Sequence, residues 1–196
     1  QEAQVAQQQA QTEQQATTPA ATVDGNLPAG GAANAEASRE AAVAKTARVA
    51  IETQDLEGSI NLTGARLDDL KLKQYRETVD PTSPIVTLFN PAETRDAYFA
   101  ELGFIAGENA GAVPGPNTVW TAPEGATLTE TTPVKLTYTN EAGLTFNRTI
   151  SVDEHYMFTV EDTIVNNGTA AASLAPYGRV TRYNKPTTPS IFVLHE

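Results

Sequence analysis

Three pairs of adjacent carboxylates, Asp68-Asp69, Asp153-Glu154 and Glu161-Asp162, are the residues best suited by type to acid–base work. Two carboxyl groups flanking a bond can serve as acid and base, as in glycoside hydrolysis. Neighbours on a strand project to opposite faces, however, so adjacency alone does not make them converge. All three pairs are therefore expected to be solvated charges. His155 and His195 are the two histidines. His155 follows Asp153-Glu154 and could be a general acid/base or a metal ligand with them. The spacing fits no metal-binding pattern, so a solvated turn is the expected reading. His195 stands on an apolar stretch and reads as an edge or half-buried histidine. With no Cys in the chain, disulfides, thiolate metal sites and cysteine nucleophiles are excluded. No nucleophile elbow, phosphate loop or dinucleotide fingerprint occurs, and no cofactor is expected.

The remaining candidates could hold a ligand or a partner. Trp120, Tyr98, Phe99, Phe104, Tyr138 and Phe146 could line a sugar- or peptide-binding face. Aromatic residues in alternating strands mostly fill the core, with Trp120 and Tyr183 the expected exceptions. Arg179 and Arg182, near Tyr177 and Tyr183, could take a ligand carboxylate. Paired or snorkelling surface arginines are the plainer reading. Trp120, Arg179, Arg182 and Tyr183 are thus the candidate ligand- or partner-facing set.

The elements that must position these residues read as strands. Val134, Leu136 and Tyr138 alternate with polar residues, as in a strand with one wet face. Asn140–Gly143 is a turn. Leu144, Phe146, Ile150 and Val152 share one side of the next strand. Arg148 falls on that same side, so it must be paired, or the strand must bulge. Tyr156–Val165 and Ala171–Tyr183 follow across two more turns, which predicts a four-strand antiparallel meander. Upstream, Val49–Thr53, Ser59–Thr63, Arg66–Lys73, Ile85–Phe89, Tyr98–Ile105 and Thr118–Thr121 are strand candidates. Asp68-Asp69 breaks the phase between Leu67 and Leu70, predicting a bulge. Ile85–Phe89 is apolar on both faces and is expected to lie centrally. Gly107–Asn117 reads as a long loop. About ten short strands with almost no helix predict an all-β sandwich or barrel.

Residues 1–46 differ from the rest. Val5, Val23, Leu27 and Val43 are their large aliphatics, and every aromatic residue lies from Tyr75 onward. So little apolar surface cannot offset the entropy of ordering, which predicts a disordered Gln/Ala-rich tether. Residues 47–196 are expected to form the folded domain. The net charge of -11 excludes a phosphate-binding surface, so no nucleic-acid partner is expected, and it opposes docking on anionic lipid. No run reaches the roughly 18 apolar residues that span a bilayer. The chain stops in mid-strand (SIFVLHE), so the native domain is expected to continue.

Specific stretches go beyond this. Gly58–Leu72 (GSINLTGARLDDLKL), Tyr75–Thr78 (YRET) and Ser83–Phe89 (SPIVTLF) resemble the start of the periplasmic domain of YidC/Oxa1-type membrane protein insertases. The resemblance is closest to α-proteobacterial members. Thr118–Trp120, Pro133–Tyr138, Gly143–Ser151, Val152–Val160, Ala175–Gly178 and Phe192–Glu196 extend it in the same order. It covers about Ala47–Glu196, and the ordered set carries it rather than any single motif. The tail is similar to the linker after the family's first transmembrane helix. The resemblance implies a β-supersandwich similar to sugar mutarotases, in the periplasm and attached to the bacterial inner membrane through flanking helices that this sequence lacks. It implies no enzymatic activity, but a part in insertion and folding of inner-membrane proteins, alone or with the Sec translocon. The implied partners are nascent membrane proteins, the translocon and its accessory subunits. The family's hydrophilic groove lies in membrane helices absent here, so no working residue carries over. Two other readings remain open: a carbohydrate-binding or mutarotase-like protein, and a module that receives extended peptides at a groove or unpaired sheet edge.

Overall fold

A computed structural model describes residues 38–184. The Gln/Ala-rich stretch before Ser38, the apolar run Ile191–Leu194 and His195 lie outside the described residues.

Among the described residues, ten strands follow one short helix, α1 (Arg39–Val43). The first five are β1 (Arg48–Glu52), β2 (Leu56–Asn61), β3 (Arg66–Arg76), β4 (Ile85–Phe89) and β5 (Tyr98–Ala106). The others are β6 (Thr127–Leu128), β7 (Val134–Thr139), β8 (Leu144–Val152), β9 (Phe158–Asn166) and β10 (Leu174–Arg182). Seven strands form one sheet in the order β10-β5-β3-β2-β1-β6, with β4 paired along the far part of β3. The other sheet has three strands, β7-β8-β9. One core joins them: Val49, Ile51, Ile60 and Leu70 of the large sheet meet Leu136, Leu144, Phe146 and Ile150 of the small one. The all-β expectation holds, and the pairing is antiparallel except for β1 with β6, which is parallel.

Strand β8 shows why alternation is informative. Leu144, Phe146, Arg148, Ile150 and Val152 are buried and the residues between them are half-buried. Its register with β9 runs without a break, so Arg148 is accommodated by pairing and not by a bulge. The turn before β8 is fixed by Gly143 at φ 84 and by the Leu144 amide donating to Asn140 Oδ1 at 3.0 Å. Asn140 Nδ2 donates to the Ala110 and Ala112 carbonyls, both at 2.7 Å, and so ties down the loop after β5.

The predicted bulge falls at Asp68. Ser59 pairs with Asp69 and Ile60 with Leu67, leaving Asp68 without an opposite residue. Gly58 is needed beside it, because a Cβ there would lie 2.0 Å from the Asp69 carbonyl oxygen. The bulge also overturns the expectation of solvated charge at this pair. Asp68 and Asp69 are both buried. Asp68 accepts from Arg48 and from Asn61 Nδ2, and Asp69 accepts from Ser59 Oγ and Arg39.

Three further expectations are corrected. Strand β10 does not join the meander: it crosses to the large sheet and pairs with β5 from Leu174↔Ala106 to Arg182↔Tyr98. Strand β4 is not central. It pairs with β3 alone and is half-buried throughout, its apolar faces met by the core rim and by Tyr98, whose ring stands edge-on to Phe89 at 5.0 Å. Thr118–Thr121 is not a strand but a pair of bridges, Val119 to Thr63 and Thr121 to Thr137, that tie the two sheets together. One short helix, α1, precedes Ala47 among the described residues. Ser38 Oγ caps α1 by accepting the Ala41 amide at 3.2 Å. A helix this short cannot hold alone; burial of Ala42 and the Arg39–Asp69 ion pair dock it on the sheet.

Candidate functional site

Trp120, one of the four candidate ligand- or partner-facing residues, lies in the core. It is 2% exposed, because the bridging segment on either side inserts its ring between the sheets. Its amide donates to the Leu62 carbonyl at 2.9 Å. The Arg148 guanidinium lies 4.9 Å from the indole centroid, a cation–π contact in the core. Arg148 is wholly buried and makes a bidentate pair with Asp162, Nε and Nη2 each donating at 2.8 Å. Its Nη1 donates to the Leu102 carbonyl of the opposite sheet at 2.9 Å. Asp162 is therefore not a free carboxylate beside Glu161.

Arg179, Arg182 and Tyr183 come from β10 and its end, but they do not converge. Arg179 reaches inward to Glu101 of β5, donating from Nη2 to Oε1 at 2.8 Å. Glu101 is completely buried and also accepts from Arg66 Nε at 2.8 Å and from the Tyr177 hydroxyl at 3.1 Å. An internal carboxylate thus occupies the place proposed for a ligand's. Arg182 projects to the opposite face, over the Tyr98 ring at 4.7 Å. Tyr183 packs on the small cluster of Ala92, Ala97 and Phe99.

Burial, then the Glu101 charge, pushes the Tyr177 hydroxyl up to about 12 from 10.0. The shift is upward, so its contribution to stability is intact below pH 10.0 and is lost as pH rises through about 12. In an absorbance titration at alkaline pH, the Tyr177→Phe chain should lose the last-titrating tyrosine step. Retention of that step would assign it to another residue.

The other acids have structural partners. Burial raises the Asp68 carboxyl above its usual range against the pull of Arg48. The Met157 and His155 amides, donating to Asp153 Oδ1 at 2.8 Å each, hold Asp153 below its usual range. That contribution is present at neutral pH and fades as pH falls through the lowered value. His155 is exposed, with Nδ1 3.9 Å from a Glu154 oxygen that is equally exposed. Among the described residues no group of three or more His, Asp or Glu side chains could hold a metal. A surface depression of about 260 Å³ is lined by Arg39, Ile51, Glu57, Gly58, Asp69 and Lys71. Its cations are already paired, Arg39 with Asp69 and Lys71 with Glu57. The carbohydrate reading requires a histidine and an acid converging in a cleft, and His155 stands on an open turn.

The sequence does not say which strand, if any, carries an unpaired edge. The Asp153 amide donates to the Met157 carbonyl, and the Asn167 amide to the Gly143 carbonyl, each at 3.0 Å. In an antiparallel ladder bonded and non-bonded pairs alternate, so the odd-numbered residues of β9 bond to β8. The amides and carbonyls of Phe158, Val160, Asp162, Ile164 and Asn166 point the other way, and no strand pairs with β9 on that side among the described residues. The sequence shows β9 as a strand but does not show that β10 leaves it for the other sheet.

A profile of the YidC periplasmic domain matches residues 48–196. The chain belongs to the YidC periplasmic domain family. It is 70% identical over 179 residues to the membrane protein insertase YidC of Allorhizobium ampelinum, covering 91% of this chain and 29% of that protein. The YidC of Rhizobium johnstonii is 67% identical over 179 residues, 91% of this chain and 30% of that protein. That of Agrobacterium fabrum is 61% identical over 160 residues, 82% and 27%. The chain therefore spans less than a third of the length of these YidC relatives. Among the described residues no helix is long and apolar enough to cross a membrane.

Proposed function

We propose that this chain is the periplasmic part of an inner-membrane insertase and assists insertion and folding of membrane proteins by contact rather than by chemistry. The observation that carries this reading is the family match across residues 48–196, joined to relatives named as membrane protein insertases. Cooperation with the Sec translocon belongs to the same proposal, as do periplasmic placement and attachment through membrane helices elsewhere in the parent. The acids and histidine that could do chemistry are paired or lie on an open turn, which favours a non-enzymatic role. Residues 1–46 are proposed as the tether, with α1 near its end docked on the sheet, and residues 47–196 as the folded domain.

The test is reconstitution in liposomes with a radiolabelled single-span membrane protein. The parent insertase should protect the client from added protease, the parent lacking residues 48–196 should do so more slowly, and this chain alone should not protect it. Equal rates with and without the domain would overturn an assisting role. Insertion by this chain alone would overturn the division of labour.

A further inference from the structure

We propose that α1 is a releasable latch: an ion pair clips it to the outer face of the large sheet, and its release lengthens the chain that leads into β1. That this chain tethers the domain to a membrane part rests on the reading above; the latch does not.

The bulge in β3 builds the catch. Neighbours on a regular strand project to opposite faces. The extra residue at Asp68 instead brings both carboxylates into one network. Arg48 Nε donates to Ser59 Oγ at 2.7 Å, and its Nη2 donates to Asp68. Ser59 Oγ donates to Asp69, which also accepts from Arg39 of α1. Arg48 alternates with Val49 and Ile51, which face the core, so this network lies on the other side of the sheet. Two arginines thus balance two buried aspartates, and one of the arginines belongs to the helix.

The two arginines are held differently. Arg48 also donates from Nη1 to Thr46 Oγ1 and from Nη2 to the Ser59 carbonyl, each at 3.3 Å, and its side chain is 8% exposed. Among the described residues Arg39 bonds to Asp69 alone, through Nη2, and its side chain is 20% exposed. Its Nε is buried with no hydrogen-bond partner. An orphaned buried donor penalises the docked state and is relieved by water on release. The rest of α1 adds little, since it has five residues and Ala42 is its one buried residue. When Arg39 leaves, Asp69 keeps Ser59 Oγ as a donor, so release does not strand a carboxylate without a partner. Release stops at Thr46, because Arg48 holds Thr46 and the Leu62 amide donates to the Ala47 carbonyl at 2.9 Å. Residues 38–45 then come free, eight residues that reach at most about 28 Å when extended.

The chain has no Cys, so Ala41→Cys, at an exposed position of α1, takes a single nitroxide label on the full 196-residue chain. Its electron paramagnetic resonance spectrum should hold an immobilised and a mobile component. The mobile fraction should rise roughly threefold or more between about 20 mM and about 1 M NaCl, where the Debye length falls to about 3 Å. Adding Arg39→Gln should make the label mobile at every salt concentration. Adding Arg39→Lys, which keeps the charge, should leave it mostly immobilised at low salt. Trp120 emission and the thermal unfolding midpoint should stay the same in all three chains. The proposal is overturned if the label in the Arg39→Gln chain is as immobile as in Ala41→Cys alone, if Lys and Gln give equal mobility, or if salt leaves the Ala41→Cys spectrum unchanged. It is equally overturned if the label is fully mobile at low salt, or moves only as the sheets unfold. A domain that proves dispensable in the liposome assay, with the label responding as predicted, would remove the insertase reading and leave the latch standing.

Discussion

Replacing Glu101 by Ala should lower unfolding free energy by about 3–5 kcal/mol, the usual cost of removing one partner from a buried ion cluster. Glu101 joins three adjacent strands: Arg66 comes from β3, Glu101 from β5, and Tyr177 and Arg179 from β10. Without the carboxylate, two guanidinium groups and a phenol lose their shared acceptor. Arg66 would suffer most, since its side chain is 6% exposed. It would keep its bond to the Pro116 carbonyl at 3.1 Å and its place 5.4 Å from the Phe99 centroid. Neither neutralises its charge. Urea unfolding followed by far-ultraviolet circular dichroism measures the loss. Adding Arg66→Met and Arg179→Met to Glu101→Leu should recover most of it, because an apolar cluster needs no charge balance. A loss below about 1 kcal/mol for Glu101→Ala would mean that water reaches the site and the cluster is not a tie.

Arg148→Ala should cost about 3 kcal/mol or more and should also move the fluorescence of Trp120, the one tryptophan. Three effects combine. Asp162 loses a bidentate partner, the Leu102 carbonyl loses a donor, and the guanidinium beside the indole leaves a cavity. Asp162 is 22% exposed and can be rehydrated, which keeps this loss from exceeding that at Glu101. Arg148→Met refills the volume without the charge and should cost less than Arg148→Ala. An unchanged emission spectrum in Arg148→Ala would contradict the placement of Trp120. Equal costs for Met and Ala would assign the effect to charge alone.

The two residues also show what the sequence carried. Arg148 sat among Leu144, Phe146, Ile150 and Val152 on a strand of period two, so its burial and need for a partner could be read locally. The bulge at Asp68 was legible for the same reason, as a break in phase. The fate of Asp68 and Asp69 was not, because Arg48 and Arg39 reach them from other elements and no local pattern encodes that pairing. Strand β10 was correctly found and wrongly placed. The turn at Asn166–Gly168 specifies a local reversal; which sheet the chain then joins depends on nine long-range pairs with β5. Strand β6 has two residues and no periodicity to detect. Trp120 was misjudged because its segment is neither strand nor loop, and its burial arises from bridges to both sheets.

Site-specific photo-cross-linking in the parent insertase shows whether this domain touches a client during insertion. A benzophenone amino acid at Val165, an exposed outer-face residue of β9, would be activated in cells while a membrane protein is held part-way through insertion. Adducts with that client are expected from Val165 or from exposed Val79 on the β3–β4 loop. No adduct from either position, while a probe in the membrane part labels the client, would contradict an assisting role for the domain.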